Sequence, residues 1–281
     1  MKLLRRAARA VVPAKPTVPR WPVLHEPPAT PRGMVTGPPD FVGLGAQKSG
    51  TTWWCELLRS HPRVHMPDFS GHACPAFFWK ERHFFDRFFR DPFGPEDVAT
   101  YHRWFPRPRG TITGEWTPRY LVDPWTAPLL ARAAPNCKLL VLLRDPVSRF
   151  ESGMAHRQRD DQLSADDAVA HYSRGLYHRQ LSEWLKYFPA DSFLLLQFER
   201  CTREPAAQWT RTLQFLQLED HPFPAEHLLR RVNRRSGETN YTIPPSFKQT
   251  LISRYEPEVA GLKELMPDLD VTLWPHFAHL T

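Results

Sequence analysis

Residues 40–54 read DFVGLGAQKSGTTWW, an apolar strand pattern that runs into a glycine-bracketed loop carrying one lysine. Gly45 and Gly50 have the spacing of a phosphate-cradling loop. Glycines there permit a tight turn, and the helix that follows aims its free N–H groups and positive dipole end at an anion. In nucleoside triphosphatases the lysine stands directly after the second glycine, beside a magnesium-binding hydroxyl. Here that position is Thr51, and Lys48 falls two residues before Gly50. Such a loop suits a 5′-phosphate whose transferred group carries less charge and needs no magnesium.

A second set of reactive side chains lies in FFWKERHFFDRFF, residues 77–89, where Glu81, His83 and Asp86 sit within an aromatic run. Burial among aromatics raises a carboxylate's pKa and makes it a better proton acceptor. Glu81 and His83, two apart, point the same way if the segment is extended. Read blandly, the same run is an aromatic core with a few solvated charges.

The stretch KSGTTW after a strand resembles the 5′-phosphosulfate loop of sulfotransferases that use 3′-phosphoadenosine 5′-phosphosulfate (PAPS). The resemblance implies that Gln47, Lys48, Ser49, Gly50, Thr51, Thr52 and Trp53 hold the donor, with Lys48 stabilising the leaving phosphate and no metal required. Residues 138–153, KLLVLLRDPVSRFESG, support it: an apolar strand run, then Arg144, then Ser152 eight residues on at the start of a helical pattern. In that family an Arg and a Ser at this spacing hold the donor's 3′-phosphate. A guanidinium makes charge-assisted bonds to phosphate oxygens, and a hydroxyl in the first helical turn adds a donor at the same anion. The 3′-phosphate separates PAPS from ATP, so the pair implies cofactor specificity.

ERHFFD matches the E-x-H-F-F-D pattern of heparan sulfate 3-O-sulfotransferases, in which the glutamate is the general base. The match implies Glu81 as base, with His83 and Asp86 shaping the acceptor site. Small-molecule cytosolic sulfotransferases use a histidine, which makes His83 the alternative base. GEWTPRY, residues 114–120, is similar to the family's E-K-T-P segment, but the lysine is replaced by Trp116. Arg119 is then the substitute cation, or Trp116 forms an acceptor wall by stacking on a sugar ring. Arg234, Arg235, Ser236 and Gly237 loosely resemble the basic K-G-R loop that relatives place over the donor's 3′-phosphate and adenosine, and read equally as a solvated basic loop. The resemblance extends through GLYHRQLSEWLKYFPADSFLLLQFE and fades beyond about residue 220.

The elements that must position these groups follow from periodicity. Strands are expected at 41–45, 111–115, 138–144 and 192–198, helices at 51–60 and 124–133, and a helical stripe over 177–188 whose default role is core packing. Strands alternating with helices give the α/β class, a P-loop-like parallel sheet flanked by helices on both faces, with ligands beyond the carboxyl ends of the strands. The 281 residues divide into a basic, Pro-rich N-terminal extension over 1–39 and a sulfotransferase domain over 40–281.

A net charge of +7 is scattered and comes with no nucleic-acid module, so a bis-phosphorylated donor and an acceptor account for the basic cleft without nucleic acid as partner. Cys55, Cys74, Cys137 and Cys201 lack zinc or disulfide spacing and are expected as reduced thiols. No run of about 18 apolar residues exists, and the start MKLLRRAARAVVPAKP lacks the apolar stretch of a secretory signal, so a soluble, cytoplasmic, bacterial member is expected. The expected reaction moves a sulfuryl group from PAPS to a hydroxyl or amine of a glycan, glycolipid or natural product. A P-loop kinase would need lysine at position 51, and a non-catalytic nucleotide-binding protein would have no use for Glu81.

Overall fold

The computed structural model describes residues 26–67, 79–158, 163–225 and 241–281. In chain order its elements are β1 (Met34–Val35), β2 (Phe41–Gly45), α1 (Thr51–Ser60), α2 (Pro95–Arg103), β3 (Arg107–Pro108), β4 (Gly114–Trp116), α3 (Thr126–Ala133), β5 (Lys138–Leu143), α4 (Pro146–Gln158), α5 (Ala165–Ser173), α6 (Tyr177–Trp184), β6 (Phe193–Gln197), α7 (Phe198–Arg203), α8 (Pro205–Phe215) and α9 (Pro245–Leu265). A short 3-10 helix covers Phe84–Phe89.

The run KLLVLL is apolar at almost every position because β5 is covered on both faces. Leu139, Val141 and Leu143 join the cluster made with α3, α4, α6 and α9. Leu140 and Leu142 point the other way, toward Trp54, Leu57 and Leu58 of α1 and Trp209 and Leu213 of α8. Each of these leucines is fully buried and contributes about 2 kcal/mol of transfer free energy.

The main sheet is parallel in the order β4-β2-β5-β6. From β2 the chain turns through α1 toward β4, and from β5 it turns through α4 to α6 toward β6. The two connections diverge, which opens a crevice beyond the carboxyl ends of β2 and β5. β1 pairs antiparallel with β3 in a separate two-stranded ribbon.

Several expected boundaries shift. The strand expected at 111–115 narrows to Gly114–Trp116, because β2 begins at Phe41 and its register starts opposite Gly114. Ile112 bridges to Val64 instead. The helix expected from 124 begins at Thr126, after a turn in which Thr126 N–H donates to the Asp123 carbonyl. The stripe at 177–188 is helical only to Trp184 and ends in a turn ahead of Pro189, which disfavours helical geometry in the residue before it. Cys55, Cys137 and Cys201 are buried free thiols, and burial pushes Cys55 and Cys137 up to about 12. Cys74 lies outside the described residues. Among the described residues no helix is long and apolar enough to cross a membrane.

Candidate active site

The donor-side loop leaves β2 and is tied to β5 by Ala46 N–H, which donates to the Leu142 carbonyl at 2.8 Å. Two residues in it occupy the left-handed region, Lys48 at φ 71° and Gly50 at φ 89°. A Cβ on Gly50 would lie 2.8 Å from the Phe198 ring, so glycine is needed there for both conformation and space. Gly50 caps α1 without any side-chain hydrogen bond, and the first turn of α1 holds no acidic residue. The first amides of α1 are therefore left for an anion. Ser49 is buried, and Trp53 Nε1 is buried and lacks a partner among the described residues. Thr51 is buried, Thr52 half-buried and Gln47 exposed.

Arg144 stands just past the end of β5, and its Nη1 donates to the Lys48 carbonyl at 3.3 Å while its guanidinium lies 5.1 Å from the Phe198 ring centre. Lys48, Arg144 and Phe198 thus converge on one side of the crevice. Ser152, expected in the first turn of its helix, is the seventh residue of α4 and lies in the second turn, half-buried. Arg234, Arg235, Ser236 and Gly237 fall outside the described residues.

The acid–base segment rests on the carboxyl end of β4. Trp116 N–H donates to the Lys80 carbonyl at 2.7 Å, Arg82 N–H to Thr117 Oγ1 at 2.9 Å, and Phe84 N–H to the Tyr120 hydroxyl at 2.8 Å. Beneath them Glu115, fully buried, accepts from Tyr101 OH at 2.7 Å, Thr117 Oγ1 at 2.6 Å and Arg82 N–H at 3.1 Å. Burial pushes the Glu115 carboxyl up despite those bonds.

On this platform Glu81, His83 and Asp86 come together as the sequence predicts, but for a different reason. The segment is not extended: His83 sits at φ 52° and opens the 3-10 helix, a conformation that costs about 1–3 kcal/mol and turns its ring between the two carboxylates. His83 Nε2 lies 3.1 Å from Glu81 Oε2 and Nδ1 2.9 Å from Asp86 Oδ2. Lys80, overlooked in the sequence, places its Nζ 2.5 Å from Glu81 Oε1.

These neighbours reverse the pKa expected for Glu81. Burial pushes its carboxyl up, but the Lys80 ammonium and His83 outweigh burial and hold it below the usual range. Burial also opposes charge on His83, yet its bonds to Asp86 and Glu81 push it up to about 9. The imidazole is therefore an imidazolium at neutral pH.

Trp116 cannot form an acceptor wall, because it is fully buried on the α1 face and its ring lies across Gly43, where an added Cβ would meet it at 2.1 Å. Arg119 is exposed and already paired, with Asp123 at 2.7 Å and Asp86 at 3.8 Å. At the end of α5, Arg174 Nη1 lies 3.2 Å from His171 Nδ1. Burial, then Arg174 and Arg149, push His171 down to about 3; burial, then Arg149 and Arg119, push Arg174 down to about 10. Among the described residues no group of His, Cys, Asp and Glu could hold a metal ion.

A family model described as a sulfotransferase domain matches residues 38–251. Over 216 residues the chain is 32% identical to heparan sulfate glucosamine 3-O-sulfotransferase 6 of Homo sapiens, covering 70% of this chain and 58% of that protein. It is also 32% identical over 199 residues to heparan sulfate glucosamine 3-O-sulfotransferase 3B1 of Mus musculus, covering 64% of this chain and 46% of that one. The chain therefore spans about half the length of the curated relatives it matches. Among solved structures, a sulfotransferase from Alicyclobacillus acidocaldarius is similar at TM-score 0.64 and 25% identity, covering 84% of this chain and 98% of the other. Sulfotransferase STF9 from Mycobacterium avium shares the fold at TM-score 0.51 and 13% identity, covering 79% of this chain and 76% of the other.

Proposed function

This chain belongs to the sulfotransferase family, and from that membership we propose that it transfers a sulfuryl group from PAPS to a hydroxyl or amine of a carbohydrate or glycoconjugate acceptor. The names of relatives that act on heparan sulfate glucosamine support the acceptor class. The residues present fit the donor: the N-terminus of α1 has no side-chain cap and no acid in its first turn, and Trp53 Nε1 is buried beside it with no partner among the described residues. When bound, PAPS supplies a sulfuryl group on a bridging oxygen that leaves as a phosphate.

The observation that carries the reading is the Lys80, Glu81, His83, Asp86 row on the β4 platform. General base catalysis needs a group that is deprotonated at working pH and fixed in direction. Glu81 meets both conditions, since Lys80 and His83 keep it ionised and hold one oxygen each. His83, protonated below about pH 9, fails the first; it orients Glu81, and Asp86 orients His83. Lys48 supplies positive charge where charge grows on the leaving phosphate, and Arg144 with Ser152 engages the 3′-phosphate.

Two measurements test this. Calorimetric titration should show tight binding of adenosine 3′,5′-bisphosphate, with AMP and magnesium–ATP far weaker; preference for magnesium–ATP would replace the sulfotransferase reading with a kinase one. The pH profile of kcat/KM should then be flat through neutrality. His83 has a folded pKa raised above its ordinary 6.5, so its charge is fully present below that value and lost as pH rises through about 9. The rate should fall in that upper window and, on the acid side, only below the usual carboxylate range. A rate that instead climbs as pH rises through about 9 would make neutral His83 the base, and Glu81→Gln would then keep most of the turnover.

A further inference from the structure

After α9 the chain returns to the carboxyl ends of β5 and β6, beyond residue 251 where the family match stops. Gln197, the last residue of β6, binds this returning segment from both sides, its Nε2 donating to the Asp270 carbonyl at 2.8 Å and its Oε1 accepting from Asp270 N–H at 3.4 Å. Trp274, fully buried, then donates Nε1–H to Glu199 Oε2 at 2.9 Å, and Glu199 Oε1 accepts from Asp145 N–H at 3.0 Å. Two residues on, His276 brings its backbone N–H to 3.2 Å and its Nδ1 to 2.9 Å from Asp145 Oδ2.

Asp145 is the neighbour of Arg144 and is fully buried. Its other oxygen, Oδ1, accepts from Val147 N–H at 2.9 Å and Ser148 N–H at 3.0 Å, the opening amides of α4. Both carboxylate oxygens of Asp145, and its amide, are thus committed, and two of these three groups, Oδ2 and the amide, go to the returning segment directly or through Glu199. On the other side Tyr177 OH donates to the Arg144 carbonyl at 3.0 Å. The backbone that carries the Arg144 guanidinium is therefore fixed from both flanks, and one flank comes from the far end of the chain.

We infer that residues 274–276 are a positioning element of the donor site: through Asp145 and Glu199 they set where Arg144 meets the 3′-phosphate of a nucleoside bisphosphate. The inference rests on the proposed role of Arg144. A group that acts by orienting a charge-assisted contact should change affinity for the phosphate it orients and leave the rest of the nucleotide alone. Core packing by Trp274 would instead lower stability and both affinities together.

The test uses the full chain with His276→Ala, His276→Asn, Trp274→Phe and Arg144→Ala, and measures Kd for adenosine 3′,5′-bisphosphate and for AMP by calorimetry, with Tm alongside. His276→Ala and Trp274→Phe should each weaken the bisphosphate by about tenfold and AMP by less than about twofold. His276→Asn should recover the bisphosphate affinity, since its amide nitrogen donates from the place of Nδ1. Equal losses for both ligands, or an unchanged ratio in the tail variants while Arg144→Ala alters it, would overturn the inference. If Arg144→Ala leaves the ratio unchanged, the 3′-phosphate role of Arg144 falls and the inference with it. Should His276→Ala fail to fold, Trp274→Phe, which keeps an aromatic ring in place, carries the same comparison.

Discussion

Two helices begin at the same end of the sheet, one after β2 and one after β5, and their N-termini are finished in opposite ways. α1 starts at Gly50 in the left-handed region with no capping side chain and no acid in its first turn. α4 starts behind Asp145, which occupies its first amides and places a carboxylate at the positive end of its dipole. Omitting a good cap costs about 1 kcal/mol, so the bare start of α1 is stability forgone where an anion can bind. The start of α4 has its anion built in and repels a second one. A phosphate near β5 must then be met by a side chain that reaches outward, and Arg144 does so toward the loop that opens α1.

The strongest way to break this contrast is at Lys48, which belongs to the bare helix start. Lys48→Ala should lower kcat by about 10²–10³ with bisphosphate affinity much less changed, as measured by single-turnover transfer from labelled PAPS. Lys48→Gly should be as inactive yet more stable by about 1 kcal/mol, because φ 71° costs glycine nothing. Near-normal turnover in either variant would remove Lys48 from the mechanism.

Asp145→Ala probes the capped side and should act on stability first. It removes the cap of α4 and strands the donors of His276 beside a buried space, a loss of about 3 kcal/mol, or roughly 2–4 °C of Tm for each kcal/mol. Thermal unfolding measures it. An Asp145→Ala protein as stable as the parent would mean that the two helix starts do not differ in the way their hydrogen bonds indicate.

The sequence made one of these helix starts visible and hid the other. The strand at Phe41–Gly45 and the helix at Thr51–Ser60 appear with the expected bounds, because an apolar run, two glycines and an amphipathic pattern are all local signals. Asp145 carries a local signal too, an Asp before Pro at the start of a helix, but its partners His276 and Trp274 lie at the other end of the chain and no periodicity links them. The acid–base row was legible as residue types and not as electrostatics. Glu81 was expected to rise in an aromatic pocket, and it falls because Lys80, its immediate neighbour, folds back onto it; strand and helix periods both place adjacent residues on different faces. Trp116 misled for a similar reason. Its room over Gly43 is a cross-strand fact, set by register and absent from either segment alone.

The smallest effect sharpens the contrast most finely. Ser152 lies in the second turn of α4, beyond the amides that Asp145 has taken, so its hydroxyl reaches a phosphate only if that phosphate lies beside the helix and not at its tip. A neutral hydroxyl contact is worth about 0.5–1.5 kcal/mol, which is at most about tenfold in Kd. Ser152→Ala should therefore weaken adenosine 3′,5′-bisphosphate by about three- to tenfold, leave AMP and Tm unchanged, and cost clearly less than Arg144→Ala in the same titration. A loss as large as that of Arg144→Ala would move the centre of the 3′-phosphate site from the end of β5 onto the flank of α4. No loss at all would leave Arg144 holding that phosphate without a hydroxyl, and the capped helix would then serve only to fix the strand end from which Arg144 extends.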